Sequence, residues 1–267
     1  MEESSPIALR RVAPDTEGLL AFAPVPGFGV LAVNAYLIRA AQPVLVDTGL
    51  IALREPFMER LREAIPLSDL AWLYLTHVDP DHIGSIAQVL AEAPNARVIT
   101  TYVGMAKMNL HGLPIDRVYL LNPGQRIDVG DRQLLAVRPP TFDAPETTAA
   151  YDTKTGNLFS ADCYGALLGE PAPAAEDVPA EALREGLRTW TTVDAPWLPM
   201  VDGVKFAASL DTFRRLEPKV VLSAHLPPAT GMMDALSEYL TATLSAPAFV
   251  GPDQAAPERA MAAGGQQ

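Results

Sequence analysis

Hydrophobic residues in the first half of the chain form short runs that alternate with stretches of helical spacing. The runs at Val30–Ile38, Val44–Val46 and 70–75 are almost continuous, which is typical of strands buried on both faces. Apolar residues at helical spacing over 53–64 and again over 83–91 predict amphipathic helices between the strands. This alternation of strands and helices predicts an α/β fold.

From about residue 118 the pattern changes to short strands separated by turns. The strands predicted in this half are 118–120, 126–129, 133–137, 147–151, 157–160 and 220–223. The helices predicted there are 183–190, 204–216 and 235–243. The Pro- and Ala-rich stretch 166–180 is predicted to be a surface loop. Both halves place strands before helices, which predicts a four-layer αββα sandwich.

The length and charge of the chain limit its organisation and its partners. It has 267 residues and carries 32 acidic against 20 basic side chains, a net charge of −12. We predict a single domain over 1–251 and a disordered tail over 252–267, where Ala, Gly and Gln offer little to bury. The negative charge argues against nucleic acids and anionic membranes as partners. A small molecule is the expected partner, and an oligomer is possible.

Three features predict a cytoplasmic location. The single cysteine, Cys163, excludes an internal disulfide framework, which suits a reducing compartment. The uncharged stretch 19–38 is interrupted by prolines and glycines, so a transmembrane helix is not expected there. The first residues, with Glu2 and Glu3, lack the basic start and apolar core of a signal peptide.

Four candidate metal ligands lie within six residues, directly after the third apolar run: His77, Asp79, Asp81 and His82. Side chains alternate in an extended segment, so His77, Asp79 and Asp81 are expected on one side. His82 is then free to turn toward a second centre. Pro80 favours the extended conformation of this stretch. The alternative, in which Asp81 only caps the following helix, explains one residue of the four. The cluster therefore predicts a metal site.

Three further candidate ligands follow predicted strands elsewhere in the chain: Asp143, Asp162 and His225. Because each lies shortly beyond an apolar strand, all three can converge with the first cluster on one edge of the sheets. Taken singly, an Asp after a strand is most often a turn residue, and a lone His is most often a surface or hydrogen-bonded core residue.

These motifs resemble those of the metallo-β-lactamase superfamily. In that superfamily a strand precedes His-x-His-x-Asp-His, and a lone His, a bridging Asp and a final His follow. The turn Val46-Asp47-Thr48-Gly49 is also similar to an early turn of the superfamily. Within it the chain is most similar to the di-iron branch, meaning flavodiiron catalytic domains and stand-alone oxygen-binding di-iron proteins. In that branch the second His of the motif is acidic, as Asp79 is here.

The resemblance covers residues 34–228 and implies a four-layer αββα metallo-β-lactamase sandwich that holds two metal ions. The ligands it implies are His77, Asp79 and Asp143 for the first ion, Asp81, His82 and His225 for the second, and Asp162 as the bridge between them. Asp47 is expected to orient the ligand loops through hydrogen bonds. Trp190 and Trp197 are expected to line the pocket.

The chain departs from the family pattern in three places. Asp143 stands where the family has His, Asp79 is one methylene shorter than the usual Glu, and Leu-Pro follows His225 in place of Gly-Pro. The implied set of three His and four Asp is rich in oxygen, which favours iron, with manganese and zinc as alternatives. Four carboxylates balance two divalent ions, so an added hydroxide makes the site negative. This negative charge raises the pKa of bound water, which disfavours hydrolysis by metal-bound hydroxide. It also stabilises a pair of trivalent metal ions.

We therefore predict an oxidoreductase or sensor that binds or reduces dioxygen or a similar small oxidant such as nitric oxide. No Gly-rich phosphate loop is present and the length leaves no room for a flavin domain, so turnover would need a partner reductase. The alternative enzyme is a metal-dependent hydrolase of an ester, lactone or thioester, which uses metal-bound hydroxide. A third alternative is a metal-poor binding module in which the first position has decayed.

Overall fold

A computed structural model describes residues 7–254 as two sheets with six α-helices among the described residues. The strands are β1 (Ala8–Ala13), β2 (Thr16–Val25), β3 (Gly29–Ile38), β4 (Val44–Val46), β5 (Trp72–Tyr74), β6 (Arg97–Thr100), β7 (Val118–Leu120), β8 (Arg126–Asp128), β9 (Gln133–Val137), β10 (Ala149–Asp152), β11 (Asn157–Phe159), β12 (Leu167–Leu168), β13 (Val220–Leu222) and β14 (Ala229–Thr230). The helices are α1 (Arg54–Ala64), α2 (Ile86–Glu92), α3 (Tyr102–Leu110), α4 (Ala180–Asp194), α5 (Gly203–Arg214) and α6 (Met233–Ala242).

The first sheet has eight strands and the second has six. The first runs in the order β1-β2-β3-β4-β5-β6-β7, with β12 paired to the start of β3. The second runs in the order β14-β13-β11-β10-β9-β8. Strands β4 to β7 are parallel to one another, and so are β11 and β13. The carboxyl ends of the parallel strands in each sheet therefore lie at one edge, where ligands characteristically bind.

Successive residues of the strands pack into different cores, and this alternation produces four layers. In β4, Leu45 packs against α1 to α3, whereas Val44 and Val46 lie between the two sheets. In β11, Leu158 packs against α4 to α6, whereas Phe159 faces the first sheet. The order of layers is helices, sheet, sheet, helices. The predicted α/β fold and αββα sandwich are therefore confirmed.

Four strands were not expected from the hydrophobic pattern. In β1 the adjacent Arg10 and Arg11 break the alternation, and this edge strand is defined by its antiparallel pairing with β2. Strand β2 was not assigned because its second half is only partly buried and contains Pro24. Strands β12 and β14 have two residues each and exist through pairing with β3 and β13. The predicted surface loop 166–180 is therefore wrong where β12 forms.

The uncharged stretch 19–38 forms most of the β2–β3 hairpin. Among residues 7–254 no helix has the length and apolar character needed to span a membrane. Of the predicted tail, residues 255–267 lie outside the described part of the chain, and 252–254 are exposed and form no helix or strand.

Candidate metal centre

The predicted ligands come together at one edge of the two sheets. The His77–His82 loop follows β5, Asp162 follows β11, and His225 follows β13. The three imidazoles are fully buried, and Asp162 is 5% exposed. Side chains separated by up to about 150 residues in sequence thus meet because their strands end at the same edge.

The loop of residues 77–82, called the ligand loop below, departs from the expected extended conformation. The backbone N–H groups of His82 and Ile83 both donate to the carbonyl of Asp79, so the chain turns there. As a result Asp79 lies with His77, while Asp81 lies with His82 and His225. The expectation that Asp81 shares a side with His77 is therefore wrong, because the turn after Asp79 reverses the alternation.

Three histidine Nε2 atoms face the carboxylate of Asp162. The distance from His82 Nε2 to Asp162 Oδ1 is 3.0 Å, that from His225 Nε2 to the same oxygen is 3.3 Å, and that from His77 Nε2 to Oδ2 is 3.4 Å. All three Nε2 atoms and Oδ1 of Asp162 are buried, and none of them makes a hydrogen bond of good geometry. Native cores rarely leave such polar atoms unpaired, so the cluster fits a bound cation.

The Nδ1 atoms of the same rings make hydrogen bonds that fix their tautomers. His82 Nδ1 donates to Asp47 Oδ2 at 2.9 Å, and His225 Nδ1 donates to the carbonyl of Ala32 at 2.8 Å. Thr76 Oγ1 donates to Asp47 Oδ2 at 2.8 Å, so it accepts from His77 Nδ1 at 3.1 Å. Each Nδ1 carries the proton in these bonds, which leaves the Nε2 lone pairs available for metal.

Two acidic residues at the site are presented by strained backbone. Asp47 itself has a φ of +58° and Ala161, directly before Asp162, has a φ of +53°. Asp47 Oδ1 also accepts from the Thr76 N–H at 2.9 Å, so the turn after β4 holds the start of the ligand loop. Left-handed backbone at non-glycine residues is costly and is concentrated at functional sites. Asp47 thus contacts the 77–82 loop through hydrogen bonds to Thr76 and His82.

The first ligand group is open to solvent and lies beside a lysine. His77, Asp79 and Asp143 offer ligand atoms within 4.8 Å of one another. The Asp79 and Asp143 side chains are each 33% exposed. Lys107 on α3 lies 3.9 Å from Asp79 Oδ1 and 2.6 Å from Oε1 of the buried Glu146. Burial, outweighing the pull of His77, raises the pKa of Asp143 to about 6.

The second ligand group is more enclosed. Asp81, His82 and His225 also lie within 4.8 Å of one another, and His225 Nε2 is 3.3 Å from Asp81 Oδ2. Burial alone would lower the pKa of His225, but the Asp162 carboxylate outweighs it and raises that pKa to about 10. Burial alone would raise the pKa of Asp81, but the neighbouring His82 and His225 outweigh burial and lower it.

The sequence did not predict Asp194, the last residue of α4. Its carboxylate, with those of Asp143 and Asp162, forms a third group within 4.8 Å. Asp194 is 7% exposed, and its pKa is raised to about 8. Burial is the main cause, and repulsion from the Asp162 and Asp143 carboxylates adds to it. The residue was missed because the predicted helix ended at Trp190, four residues early.

The two predicted pocket tryptophans flank opposite parts of the site. The Trp190 ring lies 4.6 Å from the His225 ring, and its Nε1 donates to the carbonyl of Asp162 at 3.2 Å. Trp197 Nε1 donates to the carbonyl of Phe142, so it supports the loop that bears Asp143. Gly165 makes the Trp190 contact possible, because a Cβ there would lie 2.4 Å from Trp190 Nε1.

Strand β3 of the first sheet holds the His225 loop of the second. Asn34 Nδ2 donates to the carbonyls of Ser223 and Leu226 at 3.1 and 2.8 Å, and the Tyr36 hydroxyl donates to Ser223. These positioning residues were also missed. The sequence signal that could have found Asn34 is its place as a lone polar residue inside an apolar run. The single cysteine, Cys163, is fully buried, and burial raises its pKa to about 12, as expected for a small core residue.

Residues 31–225 match the sequence profile described as ODP family beta lactamase. The chain belongs to this family. An anaerobic nitric oxide reductase flavorubredoxin of Salmonella typhi is 31% identical over 134 residues, which is 49% of this ODP-family chain and 28% of that protein. The flavorubredoxins of Salmonella arizonae and Klebsiella pneumoniae match over the same share of their length, 28%, at 31% and 30% identity. The ODP-family chain therefore spans about a quarter of the length of these relatives.

Solved structures confirm the fold of the ODP-family chain. The flavodiiron protein from Giardia intestinalis superposes with a TM-score of 0.77 at 18% identity, over 91% of this chain and 60% of that one. The rubredoxin oxygen:oxidoreductase of Desulfovibrio gigas gives a TM-score of 0.77 at 15% identity, over 89% and 61%. The predicted metallo-β-lactamase fold, of the branch that includes flavodiiron proteins, is thus confirmed.

Proposed function

We propose that this chain is the metal-binding core of a binuclear non-haem iron protein that binds or reduces dioxygen or nitric oxide. The observation that carries the proposal is the convergence of three buried, unpartnered Nε2 atoms on Asp162. Imidazoles whose Nδ1 protons are fixed by oxygen acceptors are the form that transition metals bind. The names of the flavorubredoxin and of the oxygen:oxidoreductase support the choice of oxidant.

The proposed ligand set follows the observed groups. His77, Asp79 and Asp143 would hold the first ion, Asp81, His82 and His225 the second, and Asp162 would bridge them. Support for the bridging role comes from its two oxygens, since Oδ2 faces His77 and Oδ1 faces both His82 and His225. Oxygen-rich sets with imidazole favour iron or manganese over zinc.

The chain's own residues set the surroundings of the reaction. An iron pair held there would pass electrons from a donor to a small oxidant. The proposed position of the first ion is accessible from solvent, because the Asp79 and Asp143 side chains are one-third exposed. The proposed position of the second ion is more covered, because Trp190 packs against His225. Lys107 holds a proton on Nζ at the open side, 3.9 Å from Asp79. Glu146, Asp79 and Asp143 outweigh burial and raise the pKa of Lys107, so its ammonium keeps that proton and places a positive charge where reduction of the oxidant adds negative charge.

Electrons would come from a partner. The relatives' names point to a flavin or rubredoxin donor, and we propose a partner reductase of that class.

The test is metal content followed by reactivity. Protein purified anaerobically with ferrous iron is expected to hold two iron ions per chain, and air or nitric oxide should change its optical spectrum. Asp162→Asn should lower iron content at both positions, whereas Asp116→Asn, which removes an exposed carboxylate, should leave it unchanged. With a chemical reductant, oxygen consumption should follow iron content.

A hydrolytic enzyme would behave differently. Protein that retains zinc, shows no oxygen-dependent spectral change and cleaves a generic ester or lactone would overturn the proposal. Less than about half a metal ion per chain would also overturn it, and would favour a binding module without a working centre.

A further inference from the structure

Asp194 places a fifth carboxylate at the site from an element that carries none of the other ligands. It is the last residue of α4, and one of its oxygens lies within 4.8 Å of oxygens of both Asp143 and Asp162. The residue as a whole is 7% exposed. It therefore points into the centre rather than into solvent.

The protein offers this carboxylate little compensation. Within residues 7–254 no hydrogen bond or ion pair to a lysine or arginine reaches the side chains of Asp194, Asp143 or Asp162. Asp194 also lies at the carboxyl end of a helix, where the helix dipole disfavours negative charge. Burial of an unpaired charge beside two like charges is costly unless a cation neutralises it.

A second observation points to a cation beside Asp194. Nε2 of His77 is buried and unpartnered, and it lies 4.0 Å from Asp143 Oδ1 and 3.4 Å from Asp162 Oδ2. Asp194 thus adjoins the group of His77, Asp79 and Asp143. We propose that Asp194 is an additional carboxylate ligand of the first metal ion. This assignment rests on the binuclear centre proposed above.

The consequence is an unequal pair of positions. With Asp194, the first position offers four carboxylates and one imidazole, whereas the second offers two carboxylates and two imidazoles. Hard oxygen donors prefer hard cations such as Mn²⁺ and Fe³⁺. The first position should therefore prefer Mn²⁺ over Zn²⁺ more strongly than the second does, and it should stabilise the trivalent state of iron.

The experiment measures Mn²⁺ binding by equilibrium dialysis with elemental analysis, in the wild type and in Asp194→Asn. Asparagine keeps the shape but removes the charge. The first position should lose at least about tenfold in affinity, and the second should be unchanged. Two background variants identify the positions. In His225→Ala, which removes a ligand of the second position, Asp194→Asn should weaken Mn²⁺ binding at the remaining first position. In Asp79→Asn, which removes a ligand of the first position, Asp194→Asn should leave binding at the remaining second position unchanged. Glu185→Gln removes one exposed charge from the same helix and should have no effect.

Thermal unfolding of the metal-free variants separates a ligand from a structural residue. At about pH 9, where the Asp194 carboxylate is charged, Asp194→Asn should raise the Tm of the metal-free chain, because repulsion from Asp143 and Asp162 is relieved, while reducing the rise in Tm that Mn²⁺ produces. Asp194→Glu should restore part of the affinity. Unchanged dissociation constants in Asp194→Asn, or a metal-free Tm lowered with unchanged Mn²⁺ binding, would overturn the assignment alone. A wild type that binds fewer than two Mn²⁺ ions would overturn the binuclear centre itself.

Discussion

His82 donates a 2.9 Å hydrogen bond from Nδ1 to Oδ2 of Asp47, and this bond turns its Nε2 toward the centre of the site. Asp47 lies in the turn after β4 and His82 at the end of the ligand loop, so the bond joins two strand ends of the first sheet. The partner of one ring nitrogen decides what the other can do, because a neutral imidazole carries a single N–H.

Replacement of Asp47 by Asn should weaken metal binding by about 10- to 100-fold. Asparagine tolerates the left-handed backbone at this position, φ +58°, so the turn should be kept. An amide nitrogen facing His82 cannot accept its Nδ1 proton, and the proton would shift to Nε2 and block the ligand atom. Isothermal titration with Mn²⁺ measures the loss, with the exposed Asp116→Asn as control. Equal affinities of Asp47→Asn and wild type would show that this hydrogen bond does not orient the ligand.

Gly165→Ala should destabilise the protein by about 1–3 kcal/mol and weaken the second metal position. The added Cβ would lie 2.4 Å from Trp190 Nε1 and 2.8 Å from His225 Cβ, so the tryptophan or the ligand must move. Gly169→Ala is the matched control, because no heavy atom lies within 4 Å of a Cβ there. Urea unfolding and metal content are the measurements. Equal loss in both variants would mean that glycine flexibility, rather than close packing, is responsible.

Lys107→Met should destabilise the protein by about 1–3 kcal/mol, because it leaves the buried carboxylate of Glu146 without its partner. The Glu146 side chain is 0% exposed and its Oε2 already lacks a hydrogen-bond partner. Adding Glu146→Gln to Lys107→Met should recover most of the loss, which a double-mutant cycle by urea unfolding measures. Additive losses in the double variant would show that the two side chains do not stabilise each other.

The metal-free chain should become less stable as pH rises from about 5, where the carboxylates of lowered pKa such as Asp81 and Asp162 are ionised in both states, to about 8. Burial raises the pKa of Asp194 to about 8 and that of Asp143 to about 6, above the value of about 3.9 in an unfolded chain. Over this range the folded state binds more protons, so the free energy of unfolding falls with pH. His225, whose pKa is raised to about 10, acts in the same direction above about pH 6.5.

Urea unfolding of chelator-treated protein at pH 5 and pH 8 measures this decline. Asp194→Asn should reduce the difference between the two pH values, because the amide does not titrate. A metal-free wild type that is more stable at pH 8 than at pH 5 would contradict the expected direction. Saturation with metal should also flatten the dependence, since the cations replace the protons.

The sequence by itself determined the fold class and most of the residues that meet at the candidate site. Near-continuous apolar strands and helical spacing require two helix-covered sheets, and polar residues directly after such strands must lie at sheet edges. His77, Asp162 and His225 could be found for this reason, although nothing in local pattern gives the distances between them. The short β12 and β14 could not be found, because two residues carry no periodicity and depend on their partners.

Only the tertiary structure decided which candidate ligands lie together and which hydrogen bonds hold them. The turn at Asp79 separates Asp81 from His77, and that turn depends on hydrogen bonds formed in the folded loop. Asn34 acts on a loop almost 190 residues away in sequence, and Asp194 reaches the centre from the end of a helix. The sequence therefore specified the chemical groups through local pattern, whereas their pairing, burial and charge balance arise from contacts between distant segments.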